Sequence, residues 1–371
     1  MGRYEAIIVG GGFAGLACAS IMPGRRIVLL ERHASVVEQH RGCLGLWIQA
    51  GQGLEIQAED VFLPGIGLLV EGGVLGRLGR IEITGQRERV VLPLGRPLTV
   101  LNRSRIKSAL LKRVQDSGVE VRVEAPVREV HAGGREVRVR ADEDHVGRIL
   151  VGADGANSLV ARSLPLRRQE LAVIFEREAE VDRLDLPPET LHIQVDDIRN
   201  LFFAYAAGGR FLASVIQVVG PRGVPSDLDA RLDDRIERLG AGRRLVARSA
   251  IARMSEPSPI SYRDNVVLTG DALAAYGLAT ISGALCMGAL AGRSVNRFLA
   301  GSRYALPDYH QRWRQQTRQS LIEKLRWILP LVDRIHGDRA DRMIRALRGS
   351  GGGPVSSVWW RLPHVLARLF V

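Results

Sequence analysis

Cysteine is scarce in this chain, with 3 residues among 371. An odd number of cysteines, without the short repeated spacings of a zinc site, gives no sign of a disulfide framework or a structural metal. Few thiols and no disulfide pattern are typical of a reducing compartment. We therefore expect a cytoplasmic protein.

Long apolar runs are also missing. No stretch reaches the roughly 18 consecutive apolar residues that a transmembrane helix requires, and the first residues lack the basic and hydrophobic segments of a signal peptide. The sequence shows no internal repeat and no Ser/His/Asp set in a supporting motif. With 46% hydrophobic and 25% charged residues, the composition indicates a globular protein of one large or two medium domains.

Positive charge is present in excess and unevenly distributed. The net charge is +12, and residues 301–371 contribute +8 of it (13 Lys and Arg less 5 Asp and Glu). No nucleic-acid-binding motif accompanies this charge, so we expect no nucleic-acid partner. Four tryptophans share the region: Trp313, Trp327, Trp359 and Trp360. Two interpretations stay open, namely a peripheral membrane contact made above all by residues 355–371, and packing of this tail against the core or a second subunit.

The start of the chain carries a nucleotide-binding pattern. Residues 4–9 are an apolar run typical of a strand, and Gly10, Gly12 and Gly15 follow at the spacing G-x-G-x-x-G before a helix of small residues. Such glycines permit a tight turn, the approach of a pyrophosphate to the backbone, and close packing of helix on strand. Glu31 ends the next strand, where a carboxylate can accept hydrogen bonds from a ribose. Together these features predict a dinucleotide site.

Three further segments narrow the prediction. VGADGANS at residues 151–158 follows a short strand, VLTGDA at residues 267–272 places an acid at the end of another strand, and NRSRI at residues 102–106 opens an amphipathic helix. In this order and at these separations the chain resembles the FAD-dependent family of aromatic-ring hydroxylases and geranylgeranyl reductases. The resemblance covers most of residues 1–300.

The resemblance implies roles for the matching residues. Asp271 would hold ribityl or pyrophosphate-linked oxygens of FAD, Asp154 and Gly155 would lie near the FAD–nicotinamide region, and Arg103 would contact the flavin side. The helix that begins near Gly283 would turn its backbone N–H groups toward the N1–C2=O edge of the flavin. The predicted cofactor-binding residues are Gly10, Gly12, Gly15, Glu31, Arg32, Arg41, Arg103, Asp154, Gly155, Gly270, Asp271, Gly283 and Ala284, and the predicted catalytic residues are Cys43 and Gly283.

One segment favours the reductase branch, and others depart from it. RGCLGL at residues 41–46 resembles the Cys-Gly-Gly segment of geranylgeranyl reductases, with Leu44 in place of the first glycine. Cys43 is interpreted either as a reactive thiol or as a small buried apolar residue. The proline that the family carries seven residues after the acid is Leu278 here, and residues 201–207 lack the Trp and Pro of the Tyr-x-Trp-x-Phe-Pro segment.

The alternation of predicted elements gives the fold class. We expect an α/β protein with a Rossmann-like, three-layer FAD-binding domain, an inserted substrate domain with an antiparallel sheet, and a helical C-terminal tail. The predicted FAD-binding domain comprises residues 1–65, 100–165 and 255–300. The predicted substrate domain comprises residues 66–99 and 166–254, and the basic C-terminal region residues 301–371.

These features predict a flavin-dependent enzyme with a hydrophobic small-molecule substrate. The leading hypothesis is reduction of C=C bonds in an isoprenoid or similar lipid-like molecule. The alternative is a monooxygenase that hydroxylates or epoxidises an aromatic or polyketide substrate, and a non-enzymatic flavin carrier or sensor is a third interpretation. No second glycine-rich nucleotide loop is present, so the electron donor is either NAD(P)H that binds transiently or a ferredoxin-type protein.

Overall fold

The computed structural model describes most of the chain. The described residues are 2–37, 46–47, 53–164, 170–197, 199–220, 223–240, 242–255, 258–273, 280–318 and 338–349. Arg41, Cys43 and the tail at residues 355–371 lie outside them, so the predictions for those residues stay predictions.

The described part contains strands and helices in an order that alternates at the start and becomes strand-rich in the middle. The strands are β1 (Gly2–Val9), β2 (Ile27–Leu30), β3 (Leu46–Trp47), β4 (Glu55–Gln57), β5 (Asp60–Leu63), β6 (Leu68–Val70), β7 (Val74–Thr84), β8 (Arg89–Leu101), β9 (Glu120–Arg122), β10 (Glu129–Gly133), β11 (Glu136–Arg140), β12 (Asp144–Gly152), β13 (Glu170–Val181), β14 (Thr190–Asp197), β15 (Asn200–Ala207), β16 (Arg210–Val219), β17 (Arg244–Ser255), β18 (Tyr262–Arg263) and β19 (Val266–Leu268). The helices are α1 (Phe13–Ala19), α2 (Arg103–Asp116), α3 (Leu159–Ser163), α4 (Leu228–Arg238), α5 (Thr280–Leu299), α6 (Ala305–Arg318) and α7 (Asp338–Gly349).

The first sheet has a parallel centre. Its strands follow the order β10-β11-β12-β1-β2-β9, and β19 pairs with the end of β12. The pairs β1·β2, β1·β12, β2·β9 and β12·β19 are parallel. All residues of β2 and β19 are buried, as expected for strands that are covered on both faces. Because the carboxyl ends of parallel strands meet at one edge, the segments after β1, β12 and β19 come together.

Two helices of small residues pack closely beside this sheet. A Cβ atom on Gly288 of α5 would lie 2.2 Å from the carbonyl oxygen of Ala14 in α1, and one on Gly292 would lie 2.4 Å from that of Cys18. The backbones of the two helices therefore touch where the glycines are. This contact brings the start of α5 toward the glycine-rich turn.

The second sheet is mostly antiparallel. Its order is β17-β13-β16-β15-β14-β7-β8-β3, and the single parallel pair among its pairings in the described residues is β14·β7. Helix α4 packs Leu232 and Ile236 onto one face, against Ala179 and Val181 of β13. The strands of this sheet come from chain segments that lie between the segments of the first sheet. The α/β fold with an inserted, largely antiparallel sheet and C-terminal helices is thus confirmed.

The C-terminal helices of the described region pack onto the body of the protein. In α6, Trp313 is buried, and the buried Tyr309 donates a hydrogen bond through its hydroxyl to the carbonyl oxygen of Leu268 at 2.7 Å. Helix α7 packs Ile344 and Leu347 against β8. Within the described ranges, no helix is both long enough and apolar enough to cross a bilayer.

Candidate functional site

Two glycines of the first motif are required by the packing of the protein itself. Gly10 has φ +104°, and a Cβ there would lie 2.4 Å from the carbonyl oxygen of Ala153. A Cβ on Gly15 would lie 1.9 Å from the carbonyl oxygen of Gly10. These distances are too short for any side chain, so both residues must be glycine for β1, α1 and the segment after β12 to meet.

Gly12 is different, because the protein gives no reason for its lack of a side chain. Its backbone is extended, at φ −72° and ψ −178°, and a Cβ there would meet no atom within 4 Å. A methyl group at this position would therefore meet no atom of the protein. Open space beside the backbone is what the close approach of a pyrophosphate needs.

Glu31 lies directly behind this turn. It is 4% exposed, and its Oε2 accepts a hydrogen bond from the Gly11 N–H at 2.7 Å while its Oε1 accepts one from the His33 N–H at 3.1 Å. Each carboxylate oxygen keeps capacity for a further donor. The carboxylate is therefore fixed by backbone groups and can still accept from a ribose hydroxyl.

A buried lysine completes this side of the site, and the sequence analysis did not select it. Lys107 of α2 donates to the carbonyl oxygen of Val36 at 2.9 Å, and its ammonium lies 5.7 Å from the centroid of the Phe13 ring. Burial lowers the pKa of Lys107 to about 8, and the charge of Glu31 opposes that shift. A charged residue in the middle of the apolar stripe of α2 was the signal available in the sequence.

The acid that follows β12 stabilises a helix. Asp154 accepts hydrogen bonds from the Ser158 hydroxyl at 2.5 Å and from the backbone N–H groups of Leu159 at 2.7 Å and Val160 at 3.2 Å. Gly155, at φ +80°, adopts the left-handed conformation that favours glycine. This pair therefore shapes the turn between β12 and α3. A contact of Asp154 with the cofactor stays a prediction.

The acid that follows β19, Asp271, differs from Asp154 in its hydrogen bonding. Gly270, at φ +60°, turns the chain, and Asp271 opens the 3₁₀ turn Gly270–Ala272. No described residue donates a hydrogen bond to the Asp271 carboxylate or forms an ion pair with it. Water reaches this side chain, yet surrounding protein removes enough solvation to raise its pKa to about 6. An acceptor without a protein donor at this edge of the sheet suits a ribityl hydroxyl.

The other predicted contacts are placed less directly. Gly283 is buried and Ala284 half-buried near the start of α5, next to Ser282, whose hydroxyl accepts from the Gly53 N–H at 3.1 Å. Arg32 is exposed, and its Nε donates to His33 at 3.1 Å. The roles assigned to these residues stay predictions.

Arg103 reaches across to the second sheet. Its Nη2 donates to the carboxylate of Glu178 on β13 at 3.1 Å, and Arg248 of β17 lies 3.5 Å from the same carboxylate. The side chain of Glu178 is fully buried, and that of Arg103 is 12% exposed. This pair joins α2 to the second sheet. Contact between Arg103 and the flavin, through its other N–H groups, stays a prediction.

A second buried acid lies beside this pair. Glu176 is 7% exposed, and its Oε1 accepts a hydrogen bond from the Ser214 hydroxyl at 2.8 Å. Burial first, and then the neighbouring charge of Glu178, raise the pKa of Glu176 to about 7.

The described residues hold no group of three or more His, Cys, Asp or Glu that could bind a metal ion.

These observations fit an adenine dinucleotide. The open space at Gly12 accommodates a pyrophosphate, the buried Glu31 offers an acceptor for a ribose, and Asp271 offers an acceptor without a protein donor at the neighbouring strand end. The described residues therefore fit FAD on structural grounds.

Comparison with known proteins agrees with this geometry. The fold resembles the crystal structure of a geranylgeranyl bacteriochlorophyll reductase-like protein from Thermoplasma acidophilum, with a TM-score of 0.73 and 17% identity over 93% of this chain and 91% of that one. Among curated proteins, a probable electron transfer flavoprotein-quinone oxidoreductase of Escherichia coli is 29% identical over 44% of this chain and 39% of its own length. An FAD-dependent monooxygenase of Emericella variicolor is 24% identical over 43% of this chain and 35% of its own length.

The chain thus matches less than two fifths of either curated relative. The family model described as FAD binding domain matches residues 3–216, which is more than half of the chain. That span contains the glycine-rich turn, Glu31, Arg103 and Asp154. The chain belongs to the FAD binding domain family.

Proposed function

We propose that this flavoenzyme reduces C=C bonds of an isoprenoid or a similar lipid-like molecule. The observation that carries the proposal is the apolar face of the second sheet, which is turned toward the start of α2. Glu178, the partner of Arg103, lies on this face. The face therefore borders the FAD-binding part of the protein.

The register of the strands identifies the residues of this face. Directly paired residues of neighbouring strands point to the same side of a sheet. Glu178 pairs with Ser214, Ser214 with Phe203, and Phe203 with Ile193. One step along, Glu176 pairs with Ile216, and Ile216 with Leu201.

The face is apolar apart from one strand. Outside β13, the side chains that share it are mainly aliphatic and aromatic, and those nearest Glu176 remain half-buried: Leu201, Phe203, Ile216 and Val218. The opposite face is covered by α4. Partly exposed apolar residues on the face toward the FAD-binding part favour an apolar substrate that lies between sheet and cofactor.

The chemistry divides between the cofactor and the chain. FAD, when bound and reduced, supplies a hydride for the C=C bond. The chain's residues hold the substrate: the apolar face binds the hydrocarbon and excludes water, while the Arg103–Glu178 ion pair holds this face against α2. The likeness in fold to the Thermoplasma protein, whose description names a geranylgeranyl bacteriochlorophyll reductase-like protein, supports a reductase.

An anaerobic single-turnover experiment tests the proposal. The holoenzyme is photoreduced without oxygen and mixed with geranylgeranyl-bearing lipid in detergent. We expect reoxidation of the flavin and the gain of two hydrogen atoms per reduced bond, measured by absorbance and mass spectrometry. A flavin that stays reduced with every prenyl lipid, while free O₂ reoxidises it, would overturn the proposal.

A monooxygenase is the second candidate. The similarity to an FAD-dependent monooxygenase of Emericella variicolor favours it, and so does the absence of the reductases' Trp and Pro at residues 201–207. Transfer of label from ¹⁸O₂ into an aromatic or polyketide product, with one O₂ consumed per product, would establish it over the reductase.

Two further parts of the proposal concern partners. We propose that electrons come from NAD(P)H or from a ferredoxin-type protein, and anaerobic mixing of the oxidised holoenzyme with each donor distinguishes them by the rate of flavin bleaching.

We also propose that residues 355–371 contact anionic membranes. Sedimentation with phosphatidylglycerol vesicles tests this, with a chain truncated before residue 355 as the control.

A further inference from the structure

We propose that Glu176 is the acid that delivers the proton when the C=C bond is reduced. This inference rests on the proposed function, because it assigns a residue to that reaction. It is carried by the position of Glu176 on the substrate-facing side of β13 and by the uneven environment of its two carboxyl oxygens.

The two oxygens differ in their partners. Oε1 accepts a hydrogen bond from the Ser214 hydroxyl at 2.8 Å. No described residue donates a hydrogen bond to Oε2. The residue as a whole is nevertheless buried, with 7% of its surface exposed. A buried carboxyl that keeps one oxygen free of protein donors has that oxygen available for a bound molecule.

The surroundings of Glu176 favour the neutral acid. The charges that act on it are Glu178 on its own strand and Arg103 from α2, and Arg248 from β17 lies against Glu178. Both arginines are directed at the carboxylate of Glu178, which leaves Glu176 with a hydroxyl partner and apolar neighbours. Burial and the charge of Glu178 raise the pKa of Glu176 to about 7, so about half of the molecules carry the proton at neutral pH.

The step balances as a transfer of one hydride and one proton. Reduced FAD, when bound, would supply a hydride with its two electrons to one alkene carbon, and the π bond would break. The proton leaves the Glu176 carboxyl and forms a C–H bond with the other alkene carbon. FAD is oxidised and the alkene is reduced. The Ser214 hydroxyl stabilises the carboxylate that remains, and solvent returns its proton after product release.

Glu176→Gln separates proton delivery from binding. The amide keeps the size and the hydrogen-bonding ability of the carboxyl but cannot give up a proton. Glu136→Gln is the control, because Glu136 lies on β11 of the first sheet in an exposed pair with Arg3, outside the substrate-facing side of the second sheet. Glu176→Asp tests whether a carboxyl restores the step.

The kinetic experiment follows flavin reoxidation by prenyl lipid in a single turnover. We expect Glu176→Gln to slow it by at least about a hundredfold, the lower end of general-acid contributions, with FAD content and lipid affinity unchanged. Glu176→Asp should recover part of the rate, and Glu136→Gln should match the wild type. An unchanged rate in Glu176→Gln, or equal losses of rate and affinity, would overturn the proposal.

A second readout needs no substrate. Infrared spectra of the oxidised holoenzyme should show a protonated carboxyl C=O band that titrates near neutral pH, is absent from Glu176→Gln and persists in Glu136→Gln. A spectrum without such a band overturns the neutral acid. If the wild type reduces no prenyl lipid, the proposed function fails. If the wild type reduces the lipid and Glu176→Gln does so at the same rate, only the role of Glu176 as the acid is refuted.

Discussion

The carboxylate of Glu31 accepts a hydrogen bond from the backbone N–H of Gly11 at 2.7 Å. Residues 20 positions apart are thus joined behind the glycine-rich turn. The acid therefore stabilises the conformation of the turn in addition to its expected role toward a ribose. Its buried position makes both roles sensitive to its charge.

Replacing Glu31 with Gln should weaken FAD binding and lower stability together. Hydrogen bonds to charged groups contribute about 2 kcal/mol, and the amide nitrogen of Gln would face one of the backbone N–H donors. We expect a loss of roughly ten- to a hundredfold in FAD affinity, measured by fluorescence titration of the apoprotein. Glu136→Gln is the control, because Glu136 is 44% exposed in a surface pair with Arg3. Equal FAD affinity in the two variants would contradict the prediction.

The two kinds of glycine in the motif predict different failures. Gly12→Ala places its methyl group in open space and should fold normally, while FAD binds at least about tenfold more weakly because the methyl group meets the pyrophosphate. Gly15→Ala places its methyl group 1.9 Å from the carbonyl oxygen of Gly10. It should lose about 3 kcal/mol of unfolding free energy, as expected for overpacking.

Urea unfolding of the two apoproteins and FAD titration provide the measurements. If Gly12→Ala were the less stable variant, or if it bound FAD as tightly as the wild type, the space beside Gly12 would have another purpose.

The elements that the sequence predicted are those whose signal is local. The glycine spacing, the apolar runs and Glu31 lie within one βαβ segment, and the structure places β1, α1 and β2 there. The amphipathic helix predicted to open at residues 102–106 is α2, Arg103–Asp116. Short-range patterns suffice for such elements because β1 and β2 are short apolar runs bounded by turn residues, and α2 carries one apolar stripe.

The rest depends on contacts that are distant in sequence. The sequence of β7 and β8 carries no clear strand signal, since Gly76, Gly79 and Pro93 interrupt the alternation of apolar and polar residues. Their pairing with each other and with β14 overrides these weak local preferences. Likewise, Arg103 and Glu178 are 75 residues apart, and neither residue type alone indicates a partner.

The buried pair of Arg103 and Glu178 should be strongly coupled. Removing one partner leaves the other charge buried, which costs about 3 kcal/mol or more. We expect Glu178→Gln and Arg103→Met each to lower the unfolding free energy by about this amount, and the double variant to lose at least about 1 kcal/mol less than the sum. Arg248, 3.5 Å from Glu178, should make Arg103→Met the milder single change.

Urea unfolding at saturating FAD measures these energies. The exposed pair Arg3–Glu136, with side chains 68% and 44% exposed, is the control and should show coupling below about 0.5 kcal/mol. Strict additivity for Arg103 and Glu178 would show that the ion pair does not hold the second sheet to α2.

Asp271 should make FAD binding depend on pH. Its pKa in the cofactor-free protein is raised to about 6 by loss of solvation, and the ionised carboxylate accepts a hydrogen bond from an FAD hydroxyl more strongly than the neutral acid does. Binding therefore favours the deprotonated form. Above about pH 7 the carboxylate is already ionised and affinity should be constant, whereas below pH 6 the dissociation constant should rise by up to tenfold per pH unit, since protons compete with the cofactor.

Asp271→Asn removes the titrating group while keeping the size of the side chain. The variant should bind FAD more weakly than the wild type at about pH 8 and should lose the extra weakening between about pH 6 and 5. Fluorescence titration of both apoproteins across this range measures the difference, and Asp264→Asn, an exposed residue of the preceding turn, controls for general effects of acid. Because Glu31 and Asp154 are already held by backbone donors, a wild-type dependence that persists in Asp271→Asn would move the proton-linked contact to another group and remove Asp271 from the FAD site.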